Sequence, residues 1–425
     1  MEKPKPHGIV FPFPYQGHVT PMINLSTKLA SKGFTITFVQ NEFIHHSISK
    51  AQHLPPADVD LFVEARKSGL DIRYTTISDG FPPEFDRDLN YDLYWETMFQ
   101  DFPGRVDEIV ARIIEDEESS SRPPFFLIAD TFYSWPATIA KKYNMVNVSL
   151  WTEPAIVFSV NYHLDLLRHN GHFPYSGDGG DRINYLPGVH SISRRDLMSY
   201  IQDPDVIPML IQVVMKGFDQ VKEADIILCN TVEELESETL SAQNQKHPTY
   251  SIGPINFYTD FTNTTIARSL WSESDCTQWL NSKPPGSVFR SRADRPWCNQ
   301  DRVLSNTATG GFLTHCGWNS VLESIWYGVL MICYPFLVDQ PTNRKLVVDD
   351  WKIGINLCDG EHVTREEVAN KINVLMSGER STEMKGEIKK VSQKLHDSLG
   401  SQGSSHRNFN RFLEDLKAKL YLRSN

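Results

Sequence analysis

Short apolar runs rich in Val, Ile and Phe alternate along the chain with longer stretches of helical period. Gly8–Phe13, Thr35–Gln40, Ile72–Ile77, Phe125–Ala129, Val146–Leu150 and Ile226–Cys229 have the length and composition of buried strands. Helical patterns lie between them, among them Pro21–Lys32, Tyr91–Ile114 and Ala137–Tyr143. The second half repeats the style, with a strand at Gly311–Thr314, a helix at Val321–Tyr327, a strand at Leu330–Tyr334 and a helix at Thr342–Trp351. A strand buried on both faces reads as a continuous apolar run, and each crossover helix must lay an apolar stripe on the sheet. The alternation therefore predicts an α/β fold of parallel sheets covered by helices on both faces.

At 425 residues the chain exceeds what one hydrophobic core ordinarily serves, so two domains are expected. Ile252-Gly253-Pro254-Ile255 ends a strand and the polar run Tyr258–Thr265 follows it. The boundary is placed there, giving an N-terminal unit of residues 1–250 and a C-terminal unit of residues 251–425. A closing helix at about Arg407–Tyr421 spaces Phe409, Phe412, Leu413, Leu416 and Leu420 along one stripe and needs a surface to pack on.

Composition narrows the function. The 42 basic and 53 acidic residues leave a net charge of −11, which argues against nucleic acid or an anionic membrane as partner. The six cysteines, Cys229, Cys276, Cys298, Cys316, Cys333 and Cys358, are dispersed without a CxxC pair, which speaks against a disulfide framework or a zinc ribbon. The start of the chain is polar and no run approaches the roughly 20 apolar residues of a membrane span. A cytoplasmic monomer with no transmembrane segment is expected.

The first candidate site is the segment Phe11-Pro12-Phe13-Pro14-Tyr15-Gln16-Gly17-His18-Val19-Thr20-Pro21, between the first strand and the first helix. Thr20 suits an N-cap and Pro21 the first helical position. Ligands of open α/β sheets bind at the carboxyl ends of the strands, where this segment sits. His18 is then either a surface residue or a catalytic base. Asp130, at the end of the strand Phe125–Ala129, either caps the next helix or binds one imidazole nitrogen and leaves the other as the base.

The second candidate runs from Trp297 to Gln340. It contains Trp297-Cys298-Asn299-Gln300, then Gly310-Gly311-Phe312-Leu313-Thr314-His315-Cys316-Gly317-Trp318-Asn319-Ser320, then Glu323, Gly328, Pro335, Asp339 and Gln340. Backbone N–H groups at a helix starting near Ser320, with the His315 and Asn319 side chains, make an anion site. Trp297 offers a flat face for a base. Ser320-Val321-Leu322-Glu323 also fits a capping box, so Glu323 is either a ligand or a cap.

In this order and spacing these residues resemble the signature box of plant secondary-product UDP-glycosyltransferases. The resemblance extends to Phe13-Pro14-Tyr15-Gln16-Gly17-His18, Ala129-Asp130, Cys229-Asn230-Thr231 and Ile252-Gly253-Pro254. It implies a GT-B fold, with two Rossmann-like domains facing a cleft, the acceptor held in the N-terminal one and the UDP-sugar in the C-terminal one. The final helix would pack back on the N-terminal domain. His18 would be the general base and Asp130 its orienting partner. Trp297 would stack on uracil, with Cys298 and Gln300 near the base and Glu323 on the ribose. His315, Asn319 and Ser320 would bind the diphosphate, and Trp318, Asp339 and Gln340 the sugar. The implied reaction moves a sugar, glucose by the terminal Gln340, from a UDP-sugar to a hydroxyl of a small acceptor with inversion. It needs no cofactor and no metal.

The chain departs from the family pattern after Pro285-Gly286-Ser287-Val288. Phe289-Arg290-Ser291-Arg292-Ala293-Asp294-Arg295-Pro296 leads straight into Trp297. The resemblance implies a strand, a phosphate loop, a helix and a further strand there, and a βα unit takes roughly 30 residues. The C-terminal domain is therefore expected to be incomplete near residues 289–296, its sheet short of about two strands. The alternative to a working transferase is a catalytically impaired or inactive remnant of one.

Overall fold

The computed structural model describes residues 4–117, 123–174, 181–203, 208–258, 274–291, 298–358 and 363–424. The strands run β1 (His7–Phe11), β2 (Thr35–Asn41), β3 (Ile72–Ile77), β4 (Phe125–Asp130), β5 (Val146–Trp151), β6 (Arg182–Ile183), β7 (Ile192–Ser193), β8 (Ile226–Cys229), β9 (Thr249–Ser251), β10 (Val288–Arg290), β11 (Thr309–Thr314), β12 (Leu330–Cys333) and β13 (Gly354–Asn356). Seven of them form a parallel sheet in the order β3-β2-β1-β4-β5-β8-β9. A second parallel sheet has the order β10-β11-β12-β13, and β6 and β7 pair as a small antiparallel ribbon.

The register of the first sheet sets up the site. Phe11 of β1 pairs with Ala129 of β4, and Asp130 pairs with Leu150 of β5. The three strands therefore end together, and the segments that follow them emerge side by side at one sheet edge. Every residue of β1, β4 and β5 is buried. The pleat splits them between two cores. Ile9, Phe11, Leu127 and Ala129 face one, with Trp151, Phe158 and Phe218. Val10, Phe126, Ile128, Val148 and Leu150 face the other. That second core is closed by the helix Gln16–Ser31 and by the final helix Ser404–Ser424, through Phe409, Phe412, Leu416 and Leu420. Arg423 near its end donates to both carboxylate oxygens of Asp225, at 2.8 and 2.7 Å.

Three sequence expectations change. The first helix begins at Gln16 with Tyr15 as its N-cap, so Thr20 is not a cap and Pro21 lies inside the helix. Tyr91–Ile114 is two helices, Tyr91–Gln100 and Phe102–Glu115. Pro103 has no N–H for the carbonyl of Phe99, so the helical ladder breaks at that point. The helix expected at Thr342–Trp351 is Gln340–Lys345 followed by a π-turn, Leu346–Asp350.

In the second sheet, Phe289 and Arg290, within the stretch 289–296 where the domain is expected to be incomplete, belong to β10, while residues 292–297 lie outside the described ones. β10 is half-buried and pairs with β11 alone among the described strands. No helix among the described residues is long and apolar enough to cross a membrane.

Candidate functional site

His18 lies in the first turn of the helix Gln16–Ser31. Its Nδ1 is 2.8 Å from Oδ2 of Asp130 and 2.9 Å from Oγ1 of Thr152. Asp130 is 1% exposed, and its Oδ1 accepts the backbone N–H of Phe132 at 3.1 Å. The carboxylate therefore meets the turn after β4 and the imidazole at once. Asp130 therefore binds the imidazole and does not cap the next helix, which starts only at Pro136 with Trp135 as its N-cap. Phe13 and Phe132 pack against the His18 ring at centroid distances of 5.3 and 5.6 Å.

The opposite wall comes from the second sheet. β11 leads through His315, Cys316 and Gly317 into the helix Trp318–Trp326, whose N-cap is Gly317. Ser320 is thus inside the helix, and the capping-box reading of Ser320 and Glu323 does not hold. Glu323 Oε2 instead accepts from Gln300 Nε2 at 2.8 Å, and the same amide donates to Ser320 Oγ at 2.9 Å. Three residues chosen from the sequence as donor ligands meet as one cluster. Cys298 is half-buried just before Asn299, which caps the short helix Gln300–Leu304 by accepting from Arg302 N at 3.1 Å. Trp297 lies outside the described residues.

The two walls touch beside the histidine. Asn319 Nδ2 donates to the carbonyl of Gly17 at 2.7 Å, and Trp318 Nε1 donates to the carbonyl of Asn230 at 2.7 Å. The Trp318 indole N–H is thereby engaged between the sheets and is not open to a sugar. The starts of the helices Gln16–Ser31 and Trp318–Trp326 face each other here. Both bring N–H groups that lack intrahelical partners, a combination that favours an anion. His315 is exposed just ahead of the second helix.

Asp339 and Gln340 follow β12. Asp339 Oδ2 accepts from Asn343 Nδ2 at 2.6 Å, and burial pushes its carboxyl up to about 6, opposed by that hydrogen bond and by nearby His18. Gln340 Oε1 accepts from the N–H groups of Phe336 and Leu337, at 2.8 and 3.0 Å, and so holds its own loop. Val338, between them in this loop, has φ of 59°, an unfavourable backbone conformation for a β-branched residue. Ser199 holds it from across the cleft. Val338 N donates to Ser199 Oγ at 2.8 Å, and Ser199 N donates to Val338 O at 3.0 Å.

Two buried carboxyls lie in this region, and Glu236 among them was missed in the sequence. Glu236 is buried and accepts from the N–H groups of Ala155 and Ile156 and from Thr231 Oγ1, at 2.9, 2.9 and 2.6 Å. It satisfies the start of the helix Ala155–Tyr162 and so fixes the loop after β5. Glu153 on that loop is buried as well, and burial, then the charges of Asp339 and Asp130, push its carboxyl well above the usual range. Residues of the segment 185–197 line a cavity of about 580 Å³ with Glu236, Lys345 and Asp349, and His18 is not among its walls.

Residues 251–398 match the model of the family "UDP-glucoronosyl and UDP-glucosyl transferase". The chain is 44% identical to UDP-glycosyltransferase 86A1 of Arabidopsis thaliana over 476 aligned positions, covering 98% of this chain and 95% of the relative. It is 28% identical to 7-deoxyloganetin glucosyltransferase of Catharanthus roseus, covering 98% and 97%. Its fold matches the crystal structure of Os79 from O. sativa in complex with UDP, with a TM-score of 0.79 at 23% identity over 96% of this chain and all of that one. Since this chain has 425 residues, at least 51 of the 476 positions aligned with the Arabidopsis relative face none of them.

Proposed function

The chain belongs to the plant UDP-glycosyltransferases and has their GT-B fold, and from that premise we propose that it glucosylates a hydroxyl of a small molecule with inversion, at a rate limited by an incomplete donor domain. The observation that carries the reading is the hydrogen bond from Asn319, at the start of the helix Trp318–Trp326, to the carbonyl of Gly17, the residue before His18 with its buried carboxylate partner. It supports reading His18 as a base close to a diphosphate held at that helix start.

The chemistry follows from the donor and acceptor inventory. Nδ1 of His18 keeps its proton and donates it to Asp130, which leaves Nε2 as the basic nitrogen. Nε2 takes the acceptor's hydroxyl proton as that oxygen bonds to the sugar's anomeric carbon. The bond from that carbon to the diphosphate oxygen breaks on the opposite face, and UDP leaves with the electron pair. One displacement inverts the configuration. Asp130 stabilises the imidazolium, and the helix-start amides take up charge growing on the diphosphate.

Gln300 and Glu323 form the wall on which the nucleoside would rest, and Ser320, Asn319 and His315 flank the diphosphate. Asp339 and Gln340 supply the sugar contacts, with Trp318 contributing its backbone at the helix start. The unmatched alignment positions and the short stretch of sequence between Val288 and Trp297 support an internal gap in the donor domain. The test is incubation with UDP-glucose and a panel of phenols and alcohols, with UDP and glucoside quantified together. Glucoside in step with UDP supports the reading; release of UDP without glucoside, or no UDP binding by calorimetry, refutes it.

A further inference from the structure

The loop after β5 carries a carboxyl that the transfer chemistry above does not use. Glu153 is 6% exposed, and its Oε2 is buried with no hydrogen-bond partner. A buried carboxyl oxygen without a partner is destabilising, and native chains keep such groups where a ligand or a function calls for them.

The loop that carries Glu153 is held by its neighbours in the chain. Thr152 before it touches His18 Nδ1 at 2.9 Å. Trp151 Nε1 donates to the carbonyl of Pro154 at 2.9 Å and closes the loop on itself. Glu236 holds the two N–H groups that follow, those of Ala155 and Ile156. From this clamped loop the Glu153 carboxyl is in electrostatic reach of Asp339 from the donor wall, Asp130 at the end of β4, and the phenol of Tyr200. Asp130 hydrogen-bonds His18, and Asp339 is in electrostatic reach of it.

Resting on the reading of this site as a glycosyl-transfer centre, we propose that Glu153 is a further substrate-binding residue, its unpartnered Oε2 hydrogen-bonding a hydroxyl of the bound substrate. The surroundings favour the neutral acid, because burial and two neighbouring carboxylates all oppose a further negative charge. A neutral carboxyl offers an O–H donor and a carbonyl acceptor in a site with no room for another anion. A hydroxyl matches both. A carboxylate ligand matches neither the field nor the donor pattern. The substrate class at this point is therefore a neutral hydroxylated molecule. The hydroxyl has two possible sources, the transferred sugar and the acceptor, and both arrive beside His18.

The experiment compares the unaltered chain with Glu153→Ala and Glu153→Gln. Calorimetry measures UDP and UDP-glucose, ligand-observed NMR measures resorcinol and benzoate, and the melting temperature of each form is recorded. A sugar hydroxyl partner predicts that Glu153→Ala weakens UDP-glucose by roughly three- to tenfold with UDP unchanged. An acceptor hydroxyl partner predicts the same loss for resorcinol. In either case Glu153→Gln, which keeps a donor and an acceptor, restores most of the binding, and benzoate binds more weakly than resorcinol to the unaltered chain. Equal binding of UDP-glucose and resorcinol by all three forms overturns the proposal and leaves the glycosyltransferase reading intact. A chain that binds neither UDP nor UDP-glucose overturns the donor reading instead, and Glu153 is then judged on the resorcinol arm alone. Loss of every ligand together with a lowered melting temperature in Glu153→Gln assigns the residue a structural role and also overturns the proposal.

Discussion

Asn319 donates to the main-chain carbonyl of Gly17 at 2.7 Å, and that carbonyl is open because Pro21, four residues on, has no N–H to offer it. A helix defect in one domain thus becomes an acceptor for the other, one residue from His18. Asn319→Ala is expected to lower stability by about 1 kcal/mol, the usual worth of one such bond. Pro21→Ala supplies the missing N–H and should recover part of that loss in the Asn319→Ala background. A denaturant double-mutant cycle measures the coupling. Strictly additive effects would show that Gly17 gains nothing from Asn319.

The same residues mark the limit of what the sequence carried. β8 starts and ends where its apolar run does, because a strand buried on both faces has no other way to read. Pro21 misled, since a proline one turn into a helix reads like a proline at its start until an outside donor for Gly17 is known. The capping box at Ser320 and Glu323 was a true pattern with a false implication, because Gly317 starts that helix three residues earlier. Glu236 was invisible for a different reason. It satisfies N–H groups about eighty positions away in sequence, and no local spacing encodes such a partner.

Glu323 offers a direct separation of ligand from cap. Since it caps nothing, Glu323→Gln should leave the melting temperature nearly unchanged, the new amide oxygen still accepting from Gln300. UDP affinity, measured by calorimetry, should fall by roughly tenfold through loss of a charged hydrogen-bond acceptor. A stability loss with unchanged UDP affinity would remove Glu323 from the donor wall.

Asp339 links function to pH-dependent stability. Its carboxyl is raised from 3.8 to about 6 in the fold, so the folded state binds this proton more tightly than the unfolded chain. Its contribution is fully present below pH 3.8 and is lost as pH rises through about 6. Two units correspond to about 3 kcal/mol. Asp339→Asn, which cannot ionise, should therefore gain stability over the unaltered chain as pH rises from 4 to 6, by up to about 3 kcal/mol, and hold that advantage at pH 8. Chemical denaturation across this range checks it. Sugar transfer should fall in the same variant. A pH-independent difference would contradict the assignment.

His18 should control the chemical step alone. In a form with the internal segment restored from a relative, His18→Ala is expected to lower single-turnover transfer at least roughly 100-fold. UDP affinity should stay within about twofold, since the base belongs to the other domain. Transfer at a near-normal rate to an ordinary alcohol would remove His18 as the base.

The most direct measurement is the rate of glucoside formation from UDP-glucose and a phenol, with this chain and the segment-restored form assayed side by side. The account predicts that the restored form makes a glucoside of inverted configuration and that the chain as it stands is at least roughly tenfold slower, a barrier higher by about 1.4 kcal/mol or more. No glucoside from the restored form would contradict the proposed function. Equal rates from the two forms would contradict the incomplete donor domain.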